Sequence, residues 1–184
     1  DATNISRKKR VNFIKEMRYV VEKMNNGYID RYLRVCTVFM ATPYKECLER
    51  NANRENVVPE EYINMMYKTI QIPDMFEGTD FSFIHYSKNA EIIPFSSLWS
   101  NKEGFMNMPQ DNPHHKLTLG QHCLKCGDAL KDYSMVLREA GYLHDIGKMY
   151  TKTFTNYRGI KTDIAHYYRH ENVSAYESLF YESI

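Results

Sequence analysis

The sequence predicts an α/β segment followed by an all-α one, and three observations carry that reading. Helical and strand-like runs alternate through the first 95 or so residues. A stretch rich in Asn, Pro, Gly and Met follows, from about residue 96 to 113. Beyond it the apolar spacing becomes mainly helical. The expected division is residues 1–97, a connector at 98–113, and a second domain at 114–184.

In order along the chain, Thr3 or Asn4 is placed to cap a helix over residues 7–23, with Val11, Ile14, Arg18 and Val21 as its inner edge. Arg34-Val-Cys-Thr-Val-Phe-Met-Ala41 is an unbroken β-favouring run, the pattern of a strand buried on both faces. Residues 44–51 form a short helix, and Pro59 stands at the first turn of another over 60–69. Residues 81–86 and 91–93 are shorter strand candidates. In the second half the spacing predicts helices over 117–130, 133–146 and 171–181. Asn156-Tyr-Arg-Gly159 forms a turn between the last two.

Composition excludes several classes. Hydrophobic residues make up 43% of the 184, enough for a real core, yet no window nears the ~18 apolar residues of a membrane span. No secretory signal opens the chain, which begins at Asp1 and stops inside a helical pattern, so we expect a piece of a longer protein. Four cysteines in a chain of this size are not a disulfide framework, and reduced thiols and a cytoplasmic setting are expected. Cys123 and Cys126 form a single Cys-x-x-Cys, which without a second pair reads as core packing. Net charge is +1, so phosphate binding must come from a few placed cations rather than from a global field.

His144-Asp145-Ile-Gly-Lys148 is the sharpest local feature. Val136, Ala140, Leu143 and His144 fall at helical spacing, which turns His144 inward from a helix end. Leu119, His122, Cys126 and Ala129 make a similar stripe upstream. Adjacent helical residues point about 100° apart. At a helix end followed by Gly147, His144 and Asp145 can still reach one ion. Two histidines on facing helices beside an aspartate suit a divalent cation of intermediate hardness. His166 and His170, four apart, share a helix face or line a cavity.

Together, Asn112-Pro-His-His-Lys-Leu-Thr-Leu-Gly-Gln-His122, His144-Asp-Ile-Gly-Lys148 and His166-Tyr-Tyr-Arg-His170 resemble the HD-domain phosphohydrolases, nearest the subgroup related to the HD domains of tRNA nucleotidyltransferases. The resemblance covers residues 113–181 and implies a helical HD domain. It also implies His122, His144 and Asp145 as metal ligands, His170 as ligand of a second ion, and Lys148 facing the phosphate. The ion expected is manganese, nickel, cobalt, iron or zinc. Lys148, with His115 or His166, stabilises charge developing on the phosphate. The family completes its first site with a later Asp, and nothing after Asp163 supplies one.

In the first half, Cys47-Leu-Glu-Arg50-Asn-Ala-Asn-Arg54 is followed by Val58-Pro59, and a helical turn would put Arg50 and Arg54 on one side. With Asp1-Ala-Thr-Asn4 this resembles the second half of a phage-type polynucleotide 5′-kinase, covering residues 1–86. The resemblance implies a partial P-loop-kinase-like parallel sheet, Arg50 and Arg54 on ATP phosphates, and Asp1 beside them. The sequence contains no Gly-x-x-x-x-Gly-Lys-Ser/Thr loop, so Mg-ATP chemistry is expected only of a longer protein. The expected activity is healing of RNA or DNA ends, by hydrolysis of 3′-phosphate or 2′,3′-cyclic phosphate beside 5′-phosphorylation. A hydrolase of free nucleotides and a non-catalytic nucleotide-binding module are the alternatives.

Overall fold

A computed structural model describes residues 5–25 and 34–182. Two compact units emerge, one of Asp1–Val57 with Thr69–Ala90, the other of Val58–Lys68 with Glu91–Ile184.

In the first unit, α1 (Arg7–Met24) is capped by Ser6, whose hydroxyl accepts from the Lys9 amide. The expected caps Thr3 and Asn4 lie outside the described residues. The buried edge of α1 is Arg10 and Ile14, while Val11, Arg18 and Val21 are only partly covered. Arg10 is buried because Glu77 meets it with both carboxylate oxygens, each at 2.6 Å.

Strand β1 (Cys36–Ala41) pairs in parallel with β2 (Phe81–Tyr86), in register from Cys36↔Phe81 to Ala41↔Tyr86. The expectation of burial on both faces fails. Phe39 and Ala41 are buried, but Cys36, Val38 and Met40 are exposed. An apolar run is buried on both faces only where layers cover both, and among the described residues one face is covered. Helix α2 (Tyr44–Ala52) and helix α3 (Glu60–Thr69) occupy the expected spans, α3 directly after Pro59.

The second unit takes in the stretch read as a connector. Helix α4 (Ser96–Ser100) and a π-helical turn at Lys102–Met106 carry Leu98 and Phe105 into the main core with Phe95, Leu119, Cys123 and Ile146. Burying side chains of this size contributes about 1.5–3 kcal/mol each. Asn101 holds the turn, its Oδ1 accepting from the Gly104 amide at 2.9 Å. α3 belongs mostly to this unit too: Tyr67 packs edge-on against Tyr176, and the Lys68 carbonyl accepts from Asn172. The boundary therefore falls near residue 90 rather than 97. Residues 91–93 form no strand, only a bridge from Ile93 to Tyr181.

Helix α5 (Leu119–Ala129) opens on a capping box of Thr118 and Gln121, and α6 (Met135–Leu143) on Ser134. They approach closely because position 127 is glycine: a Cβ there would stand 2.1 Å from the Tyr142 ring. After the four-residue α7 (Lys148–Thr151), β3 (Thr153–Thr155) pairs antiparallel with β4 (Lys161–His166). The second unit is thus not all-α. The β-branched residues Thr153, Thr155, Ile160 and Ile164 favour this hairpin, whose turn is the expected Asn156–Gly159 segment with Gly159 at φ 79°. Helix α8 (His170–Ser178) closes the unit.

Candidate metal centre

Four side chains, those of His122, His144, Lys148 and His170, converge on Asp145. The C-terminus of α6 puts His144 at its cap, with the backbone still near helical at φ −56°, ψ −28°. The chain then turns so that Asp145 points inward beside Ile146, and Gly147 lies flush on α8. A Cβ at Gly147 would fall 2.2 Å from the His170 carbonyl, and the Gly147 amide donates to Ser174 Oγ at 2.9 Å. His122 comes from the first turns of α5, His170 from the first residue of α8, and Lys148 from the first residue of α7.

Both oxygens of Asp145 are engaged. Oδ2 lies 3.2 Å from His122 Nε2, 3.3 Å from His144 Nε2 and 2.8 Å from Lys148 Nζ. Oδ1 lies 3.2 Å from His170 Nε2. The carboxylate is buried, while the imidazoles of His122, His144 and His170 stay 28–39% exposed. They are partly open to solvent and are not the buried pair expected from spacing. Val136 and Ala129, expected on the inner stripes, are exposed; the buried edge of α5 is Leu119, Cys123 and Gly127.

Tautomers follow from the other ring nitrogens. His144 Nδ1 is 2.8 Å from the Gly141 carbonyl and His170 Nδ1 2.7 Å from the Tyr167 carbonyl. Each Nδ1 is therefore the donor, which orients Nε2 towards Asp145. Hydrogen bonding to Asp145 outweighs burial and raises the pKa of both His144 and His170. For Asp145, burial opposes ionisation, but the bonds from His144, His170 and Lys148 overcome it and hold the carboxyl far below the usual range. Burial lowers His122, against the pull of Asp145.

His122 Nε2, His144 Nε2 and Asp145 Oδ2 form a triangle with sides of 3.1, 3.2 and 3.3 Å. Donors bonded at about 2.0–2.2 Å to one cation stand about 3 to 3.4 Å apart, so the triangle fits one face of a metal's coordination shell. Cys126 lies beside it, Sγ 3.8 Å from His122 Nε2, and the donor atoms of His122, Cys126 and His144 all lie within 4.8 Å of one another. This group can hold a metal ion. Burial, and then the charge of Asp145, pushes the Cys126 thiol up.

The remaining expected residues are placed unevenly. Lys148 is buried, its ammonium shared between Asp145 and Gln110 Oε1, each at 2.8 Å. His115 has its ring 6.0 Å from that of His122, and burial followed by the charge of Lys148 lowers its pKa. His166 ends β4 on a different element from His170; its ring stacks on Tyr168 and contacts Thr162 Oγ1. In the first unit, α2 ends at Ala52, where Asn53 Nδ2 bonds back to the Glu49 carbonyl. Arg54 thereby leaves the helical register that was to align it with Arg50, and Arg50 is paired with Glu46 at 2.6 Å. Asp1 lies outside the described residues.

Three contributors escape the sequence reading. Gln110 and Tyr167 support Lys148, Tyr167 through its ring at 5.3 Å and a bond to the Gln110 carbonyl. Gln110 sits in the supposed connector, and no local pattern marks either residue. Cys126 does carry a signal, the four-residue spacing from His122 on one helix face. No protein-family profile, curated protein or solved structure matches this chain. No helix among the described residues is long and apolar enough to cross a membrane.

Proposed function

We propose that this chain carries a metal-dependent phosphohydrolase of the HD type, acting on 3′-phosphate or 2′,3′-cyclic phosphate at RNA or DNA ends. The observation that supports it is the convergence of His122, His144, His170 and Lys148 on the one buried carboxylate of Asp145. His122, His144 and Asp145 would hold a divalent ion from the manganese-to-zinc series, and His170, on the other carboxylate oxygen, a second one. Such an ion supplies an activated water and a Lewis acid for a phosphoryl oxygen.

The chain's own groups do the rest. Asp145 stays ionised at neutral pH and anchors the imidazoles, those of His144 and His170 being fixed in direction by their Nδ1 bonds. Lys148, clamped by Asp145 and Gln110, places a positive charge that cannot rotate away, beside the point where phosphate oxygens would gather. His115, its ring 6.0 Å from that of His122, would be the second group to meet a phosphate. We further propose that the first unit belongs to a polynucleotide 5′-kinase whose Mg-ATP loop lies in a longer polypeptide. The parallel β1–β2 pair is compatible with that reading.

The test is a substrate panel incubated with the chain and each of manganese, cobalt, nickel and zinc. Oligonucleotides ending in 3′-phosphate or 2′,3′-cyclic phosphate should lose it, and His144→Ala and Asp145→Ala should abolish the reaction. Turnover of free nucleotides alone would transfer the assignment to a nucleotide hydrolase. Tight binding of oligonucleotide ends without turnover in any metal would make it a binding module.

A further inference from the structure

The geometry points to Cys126 as a further metal ligand, a thiolate donor that makes the centre selective for thiophilic divalent ions over hard ones such as magnesium. This rests on the reading of the Asp145 cluster as a metal centre.

Cys126 follows His122 by four residues on α5, so both side chains leave the same helix face. Its Sγ stands 3.8 Å from His122 Nε2, and that nitrogen 3.1 Å from His144 Nε2. For one ion with bonds of about 2.0–2.1 Å to nitrogen and about 2.3 Å to sulfur, an N···S separation near 3.5–4 Å is expected. The His122–Cys126 separation falls in that range, and the donor atom of His144 lies within 4.8 Å of both. Cys123, the other half of the Cys-x-x-Cys, points elsewhere: it is fully buried in the hydrophobic core with Phe105 and Leu119. The two cysteines are thus placed differently, one packed in the core and one beside His122.

Binding breaks the Cys126 S–H bond, the proton leaving to solvent as the metal–sulfur bond forms. Catalytic zinc sites keep three protein ligands and a water, and iron and cobalt can take more donors, so a Cys126 thiolate beside His122 and His144, whose donor atoms lie within 4.8 Å of one another, still leaves a position for water. Soft sulfur favours zinc, cobalt and iron; magnesium, which prefers oxygen, gains nothing from it.

The experiment is a titration of the whole chain with cobalt(II), followed by its near-ultraviolet thiolate-to-cobalt charge-transfer absorption. The wild type should develop the band, Cys126→Ser should lose it with roughly ten-fold or greater loss of cobalt affinity, and Cys36→Ser should keep it. Mass-spectrometric mapping of alkylation gives a reading without substitution: zinc should protect Cys126 while the exposed Cys36 stays reactive. Cobalt bound with no such band, or a band surviving in Cys126→Ser, overturns the thiolate ligand and leaves the metal centre standing. Failure to bind cobalt at all overturns both.

Discussion

Asp145 and Lys148, one helical turn apart, form a buried ion pair with Nζ 2.8 Å from Oδ2 and both side chains at most 7% exposed. Removing one partner of such a pair strands the other. Asp145→Ala should cost about 3–5 kcal/mol of stability. Lys148→Met should cost less, about 1–3 kcal/mol, because His144 and His170 still neutralise the carboxylate. The double variant should be more stable than the sum of the two losses allows, as read by urea unfolding of all four proteins. Strict additivity would show that the pair does not couple.

Gly147 sets how closely α8 approaches the His-Asp turn. Gly147→Ala puts a methyl group 2.2 Å from the His170 carbonyl, so α8 must retreat and take the imidazole with it. We expect a loss of at least about 1–3 kcal/mol in thermal unfolding. Ser174→Ala, which removes only the hydrogen bond to the Gly147 amide, should cost about 1 kcal/mol.

Glu177 gives a pH dependence away from the candidate metal centre. Burial raises its pKa above the ordinary 4.5, against hydrogen bonds from Tyr67 and Tyr150. Tyr181 also faces it. With the folded pKa raised, its stabilising contribution is full below pH 4.5, where both states are protonated. It is lost as pH rises through the folded value, since the unfolded chain ionises first. Glu177→Gln should therefore flatten the stability profile above pH 4.5, and an unchanged slope would assign that slope to another group.

A bound cation should stabilise the fold by mass action. At one hundred times its dissociation constant, the gain is about 2.7 kcal/mol. Thermal unfolding with added cobalt or zinc should show this shift in the wild type and in Arg50→Ala. It should be absent from His122→Ala and His144→Ala.

Much of the centre is legible in the sequence because it depends on local rules. His144-Asp145 followed by Gly147 marks a helix end and Pro59 the first turn of α3, while the Thr118–Gln121 capping box starts α5 two residues later than the apolar spacing predicts. What escapes depends on contacts far apart in the chain. The polar, glycine-containing stretch at 96–113 looks like a connector, because its apolar anchors Leu98 and Phe105 are single residues that pack with residues as distant as Tyr142 and Ile146. The side of α5 that meets the core is chosen by the fit of Gly127 to Tyr142, so Cys123 turns inward and Cys126 towards His122. Arg54 looks aligned with Arg50 only if the helix continues, and Asn53 ends it. Cover on one face of β1 is likewise a matter of neighbouring layers, on which an apolar run is silent.

The most direct test of the central claim is phosphate release from an oligonucleotide bearing a 3′-phosphate, with and without cobalt or manganese, by the wild type and by His144→Ala. The account predicts release that requires the metal, disappears with a chelator, and falls at least about 100-fold in the variant. Release that is indifferent to metal, or undiminished in His144→Ala, would contradict it.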